Sequence, residues 1–72
     1  MTGKEFYSIL QTWHEEYVPM LRFGQFMTSF MDWHKLTYGN DCFYLENYTF
    51  LCRLDIYLVG VLKVKKELDN HA

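Results

Sequence analysis

Proline, glycine and cysteine are all scarce in this chain of 72 residues, which has one proline, four glycines and two cysteines. Scarce proline and glycine leave long stretches free to form helix. Because the glycines are scattered, there is no glycine-rich loop of the kind that cradles a phosphate. Cys42 and Cys52 lack the close pairing of a structural zinc site. We therefore expect no metal and no other cofactor.

The chain also lacks an excess of positive charge. Its seven lysines and arginines face nine aspartates and glutamates, for a formal net charge of -2. A nucleic-acid-binding domain is normally strongly basic, so we expect nucleic-acid binding to be unlikely on charge grounds. It remains the alternative function, a small DNA- or RNA-binding regulator, and it would use Arg22, Arg53 and the lysines at positions 63, 65 and 66.

Long apolar runs are absent as well. The longest stretch is the segment 56–62, whereas a membrane-spanning helix needs about 20 apolar residues. No apolar leader follows Met1. We therefore expect a cytoplasmic protein with reduced thiols and no membrane partner. A chain of this length buries only about 60% of its unfolded surface, which predicts a single small domain over residues 1–72.

The first helix is predicted over residues 3–17. Thr2 and Glu5 have the spacing of a capping box, and Pro19 ends the helix because the residue before proline disfavours helical geometry. The apolar side chains of this segment recur at helical spacing: Phe6, Leu10, Trp13 and Tyr17.

The second helix is predicted over residues 20–37. Pro19 suits its first turn, and Gly39 suits a left-handed residue after its last turn. Gly24 costs about 1 kcal/mol relative to alanine in a helix interior. We therefore expect a close backbone approach at Gly24, a helix crossing in preference to a bound partner.

The third helix is predicted over residues 48–69, with Asn47 as its N-cap. It follows an aromatic-rich connector, residues 40–47, whose aromatic side chains we expect to tuck beneath the helices. The third helix carries the strongest periodic signal of the chain, a heptad stripe of Phe50, Leu54, Tyr57, Val61, Val64 and Leu68. The predicted fold class is all-α, a compact three-helix arrangement with Leu54 in its core.

Catalytic patterns are not found. His14 begins no His-Glu-x-x-His motif, because no second histidine follows. A Cys42–His34 pair can be imagined, but such pairs are recognised by geometry, which spacing does not supply. Glu15 and Glu16 are adjacent and would point to diverging helix faces. We expect the protein not to be an enzyme.

Aromatic content favours protein recognition instead. The chain holds six phenylalanines, six tyrosines, two tryptophans and four methionines, more than a domain of this size can bury. Some must face outward, and clusters of exposed aromatic and methionine side chains are typical of interaction surfaces. We expect the third helix, with Tyr57 and Val61, to bind another protein or a second copy of the chain.

One segment resembles a pattern in short uncharacterised proteins of bacteria and phages. The matching residues run from Pro19 to Gln25, then from Asp41 to Tyr44, and end at Phe50 and Leu51. The resemblance covers residues 17–54. This chain departs from the pattern at Thr28 or Ser29, where those proteins often have asparagine. It carries no function, but it implies that four residues form one structural or binding unit: Arg22, Gly24, Gln25 and Tyr44. In this unit Arg22 or Gln25 would hydrogen-bond the connector backbone.

Size, acidity and aromatic content together favour a non-catalytic protein-interaction module. The setting that this suggests is a phage or mobile-element accessory or inhibitor protein that binds a larger host or defence protein, with homo-oligomerisation as a further option.

Overall fold

A computed structural model describes residues 1–64, and it has three helices with no strand among those residues. The all-α three-helix prediction is therefore confirmed. The elements in chain order are α1 (Gly3–Tyr17), α2 (Phe23–Tyr38), a 3₁₀ turn (Cys42–Tyr44), α3 (Asn47–Ile56) and a π-helical turn (Tyr57–Val61) that continues α3.

The first helix begins and ends as predicted. The Thr2 hydroxyl accepts the Glu5 N–H at 3.1 Å, and the Glu5 carboxylate accepts the Thr2 N–H at 2.8 Å. The hydrogen bonds from Thr2, chiefly the one from its backbone, lower the pKa of Glu5. The helix ends at Tyr17, and the Val18 N–H bonds to the carbonyl of His14.

The second helix begins at Phe23 rather than at residue 20. The Leu21 N–H bonds to the Val18 carbonyl at 3.0 Å, so Pro19 lies inside a turn and not in the first turn of the helix. The Gln25 side chain then accepts the Arg22 N–H at 3.0 Å, which defines the start of α2. At the other end Gly39 has a φ of 81°, the left-handed stop that its position predicts.

The connector differs from the prediction. Residues i and i+3 of a 3₁₀ turn eclipse each other, so Cys42 and Leu45 both face the core, whereas Phe43 and Tyr44 face solvent. The prediction that the connector aromatics are tucked beneath the helices is therefore wrong. Glu46, and not Asn47, is the N-cap of α3.

The third helix ends earlier than predicted. The Leu62 N–H bonds to the Tyr57 carbonyl, five residues back, and Lys63 takes a left-handed φ of 55°. The described part of the predicted segment is thus helical only to Val61, and positions 65–69 lie outside the described residues. Because the π-helical turn holds more residues than an α-turn, the heptad spacing fails there. Tyr57 is buried, but Val61 is 47% exposed.

Aromatic rings fill the centre of the fold. Phe30 contacts Phe50 and Tyr57 with ring centroids 5.1 and 5.7 Å apart, and Phe50 contacts Phe6 at 5.5 Å. Leu54 is fully buried, as predicted. The backbones of α1 and α3 lie closest together among the helices, and the backbone of α2 lies close to the 3₁₀ turn.

Gly24 has open space around it. A Cβ added there would meet no atom within 4 Å, so the predicted close approach of another backbone is wrong. Gly24 lies on the exposed side of α2, where its lack of a side chain serves no packing purpose.

We predict that replacing glycine by alanine has opposite effects on stability at Gly24 and at Gly39. Gly24→Ala should raise the free energy of unfolding by up to about 1 kcal/mol, because alanine is the better helix former. Gly39→Ala should lower it by about 1 kcal/mol, because the left-handed conformation penalises a Cβ. Urea denaturation of both variants measures the two shifts. A lower midpoint for Gly24→Ala would show that a backbone does approach Gly24.

Candidate functional site

His34 is the one buried polar residue among residues 1–64, and both of its ring nitrogens are hydrogen-bonded. Nε2 lies 2.9 Å from Nη1 of Arg53, and Nδ1 lies 2.9 Å from the carbonyl oxygen of Asn40. A guanidinium can only donate, so Nε2 accepts. The ring proton is therefore on Nδ1, which donates to Asn40. No lone pair of this imidazole is left to act as a base.

Arg53 is held by the same cluster. Its guanidinium carbon lies 3.9 Å from the ring centroid of Tyr38, and the Tyr38 and His34 rings are 4.7 Å apart. Stacking on an aromatic face and donation to imidazole are both favourable for a guanidinium. This side chain therefore has internal partners, which weakens its predicted use in nucleic-acid binding.

The Cys42–His34 pairing considered in the sequence is not formed. The His34 nitrogens bond to Asn40 and Arg53, and burial raises the pKa of the Cys42 thiol. A nucleophilic cysteine needs the opposite shift, toward the thiolate. Both side chains are parts of the core.

His14 has the opposite proton placement. Its Nε2 lies 2.6 Å from the carbonyl oxygen of Leu21, which can only accept, so Nε2 carries the proton. The ring stacks on Phe26 with centroids 5.8 Å apart. This hydrogen bond holds the turn between α1 and α2 against the end of α1.

We predict that the two histidines are opposite neutral tautomers. Long-range ¹H–¹⁵N NMR correlations should show the ring proton of His34 on Nδ1 and that of His14 on Nε2. His34→Gln and His14→Gln assign the signals. A proton on Nε2 of His34 would contradict the hydrogen bond from Arg53.

The residues predicted as a site lie in three parts of the fold: the start of α2, the connector and the end of the third helix. Arg22, Gly24 and Gln25 lie exposed at the start of α2, and the Gln25 side chain accepts from the Arg22 backbone rather than binding the connector. Tyr44 projects from the connector and is 90% exposed. Tyr57 is a core residue. Within residues 1–64, neither Arg22 nor Gln25 makes the expected hydrogen bond to the connector.

A different surface feature lies between the first and third helices. We call it the α1–α3 groove, and it is lined by Met1, Ile9, Trp13, Tyr48, Leu51, Cys52 and Asp55. Leu51 is buried, Ile9 and Trp13 are half-buried, and Tyr48 is 69% exposed. The groove thus offers mostly apolar side chains at graded depth.

Tyr48 and Cys52 form the α3 wall of this groove, one helical turn apart. A hydrogen bond with the Cys52 side chain raises the pKa of the Tyr48 phenol. The contact holds an exposed aromatic ring beside an exposed thiol. The α3 wall therefore has an amphipathic character, with a large apolar ring and a polar edge.

The sequence contains a signal for this groove, in a second pattern on the third helix. Residues 48, 51, 52 and 55 follow the i, i+3, i+4, i+7 pattern of one helix face. The heptad stripe through Phe50, Leu54 and Tyr57 is instead turned toward the core.

Charged residues border the groove. At one end it shares Met1 and Tyr48 with a depression that includes Glu46 and Asn47. On the α1 side it shares Met1 and Ile9 with a depression lined by Lys4, Glu5 and Ser8. The border therefore has the carboxylates of Glu5, Glu46 and Asp55, together with the ammonium groups of Lys4 and of the Met1 N-terminus.

Within residues 1–64, no group of three or more histidine, cysteine or carboxylate side chains is arranged to hold a metal ion. In the same part of the chain, no helix has the length and apolarity needed to span a membrane.

The chain matches no protein-family model, no curated protein and no solved structure.

We predict that the two thiols differ in reactivity. In the folded protein, Cys52 should react with a disulfide reagent such as DTNB, because it is exposed. Cys42 should react only after unfolding, because it is 2% exposed and burial raises its pKa. Thiol titration with and without urea measures this, and Cys52→Ser should abolish the native reaction. Rapid labelling of Cys42 in folded Cys52→Ser would contradict its burial.

Proposed function

We propose that the protein is a non-catalytic protein-interaction module that binds another protein through the α1–α3 groove. The observation that supports this most is the groove itself, where Ile9, Trp13 and Tyr48 present apolar surface above Leu51. Exposed aromatic side chains at graded depth are typical of the anchor sites that dominate protein binding.

The proposed docking surface differs from the one that the sequence predicts. Tyr57, an expected contact on the third helix, belongs to the core, while Val61 remains exposed beyond the turn that ends the helix. Other exposed apolar residues, such as Leu36 at 87% exposure, lie apart from the α1–α3 groove. Single exposed apolar residues are normal on protein surfaces.

A non-catalytic role is supported by the state of the reactive groups. The His34 nitrogens and the Arg53 guanidinium have internal partners. The setting that we propose is that of a phage or mobile-element accessory or inhibitor protein acting on a larger host or defence protein. A cytoplasmic location is part of the same proposal.

We predict that Tyr48 and Tyr44 differ in their contribution to partner binding. Tagged wild-type protein should retain one stoichiometric protein from lysate of the source cells after nuclease treatment. Tyr48→Ala should reduce recovery at least about tenfold, since a buried aromatic anchor contributes that much. Tyr44→Ala is the matched control and should bind like the wild type, because Tyr44 is exposed outside the groove.

Three outcomes would contradict this proposal. Equal recovery with Tyr48→Ala and wild type would exclude the α1–α3 groove as the docking surface. Recovery that disappears with nuclease would favour the DNA- or RNA-binding alternative. Recovery of the bait alone, in multiples, would favour self-association.

A further inference from the structure

We propose that the contact between His34 and Arg53 is an acid-sensitive latch between α2 and α3, which opens when Nε2 of His34 takes up a proton from solvent. The latched form excludes that proton, so acid shifts the protein toward forms in which Arg53 has left the ring. The latch is independent of what the α1–α3 groove binds.

The hydrogen bond itself sets the protonation state that the latch requires. Nε2 of His34 lies 2.9 Å from Nη1 of Arg53, and a guanidinium only donates, so Nε2 must offer its lone pair. A proton on Nε2 removes that lone pair and leaves two donors facing each other. Nδ1 already donates to the Asn40 carbonyl at 2.9 Å. The protonated ring would therefore keep its bond to the connector and lose its bond to α3.

Burial and charge make a protonated ring costly in the latched form. His34 is fully buried, and an imidazolium there would lie beside a guanidinium, which places two like charges away from water. Among residues 1–64, neither side chain is paired with a carboxylate that would offset this repulsion. Arg53 is only half-buried, so its guanidinium can turn toward water when the ring takes up a proton.

The other titratable groups around the imidazole do not change charge between pH 7.5 and 5.5. From α2, the Tyr38 ring contacts it, and tyrosine phenols keep their proton throughout this range. The connector contributes the buried Cys42 thiol, whose pKa is raised by burial, and the exposed Asp41 beside Asn40. Carboxylates such as that of Asp41 are ionised at both pH values. In the described chain, α1 makes no hydrogen bond or ring contact with His34.

His14 gives a matched comparison within the same fold. Its Nε2 already donates to the Leu21 carbonyl, so a second proton would go to Nδ1 and leave this hydrogen bond in place. The ring is also only half-buried. Acid therefore breaks the contact made by His34 and spares the one made by His14.

The test is urea unfolding of the full-length protein at pH 7.5 and at pH 5.5, a range in which histidine titrates and carboxylates stay ionised. The unfolded chain takes up a proton at position 34 and the latched form does not. Stability is therefore present at the higher pH and is lost as the pH falls. We expect the unfolding equilibrium constant of the wild type to rise about tenfold between the two pH values, the effect of one such proton.

Two variants assign the effect to His34. In His34→Gln, the amide oxygen can accept from Arg53 and the amide nitrogen can donate to Asn40, but the side chain does not titrate. Its unfolding constant should change less than about twofold over the same range. His14→Gln should keep the wild-type ratio. Each ratio compares a variant with itself, so a general loss of stability in either variant does not affect the result.

A measurement on the wild type covers the case in which His34→Gln does not fold. Long-range ¹H–¹⁵N correlations at pH 5.5 should show Nε2 of His34 without a proton in the folded protein. A doubly protonated His34 ring in a protein that keeps its full stability would overturn the latch. Equal ratios in the wild type and His34→Gln would do the same, as would a tenfold effect that disappears only in His14→Gln.

Discussion

The hydrogen bond between His34 and Arg53 joins the second helix to the third, and it sets how the third helix is turned. Both nitrogens of a fully buried imidazole are satisfied only if Arg53 reaches it and the Asn40 carbonyl faces it. Leaving either nitrogen unpaired in the core would cost about 1–3 kcal/mol. Because Arg53 points toward α2, Leu54 and Leu58 face the core. The opposite consequence is that Tyr48 and Cys52 lie on a solvent-exposed face of α3, next to α1. The position of the groove thus follows from a polar contact on another side of the same helix.

Ring packing around Phe30 explains why some aromatic side chains stay outside. Phe30 and the rings in contact with it occupy the space enclosed by three short helices. A small domain has little interior beyond such a cluster. Tyr7, Phe43 and Tyr48 are consequently exposed, and only Tyr48 of these three lies in the α1–α3 groove. The core therefore limits which surfaces can serve in recognition.

Local chemistry made part of this fold predictable from the sequence. The Thr2–Glu5 box and the left-handed Gly39 each depend on a few neighbouring residues, and both are present in the structure. The connector and the end of α3 were predicted wrongly because they depend on contacts distant in sequence. The outward placement of Phe43 follows from the burial of Cys42 and Leu45, and no helical periodicity describes the π-helical turn. The groove was visible as a second apolar pattern on α3, but the charged residues that border it were not. Those residues come together only because α1 and α3 lie side by side.

The contact between α1 and α3 has a consequence for how the chain acquires its structure during synthesis. The backbone of the first helix made lies closest to that of the last helix of the described chain, and less of it lies close to α2. On the ribosome, α1 therefore remains without most of its packing partner until residues 47–61 have been made. Until then the apolar side chains of α1 are open to other nascent chains and to chaperones, which bind such surfaces. The α1–α3 groove is accordingly one of the last features to form, and a chain that ends before α3 would not display it.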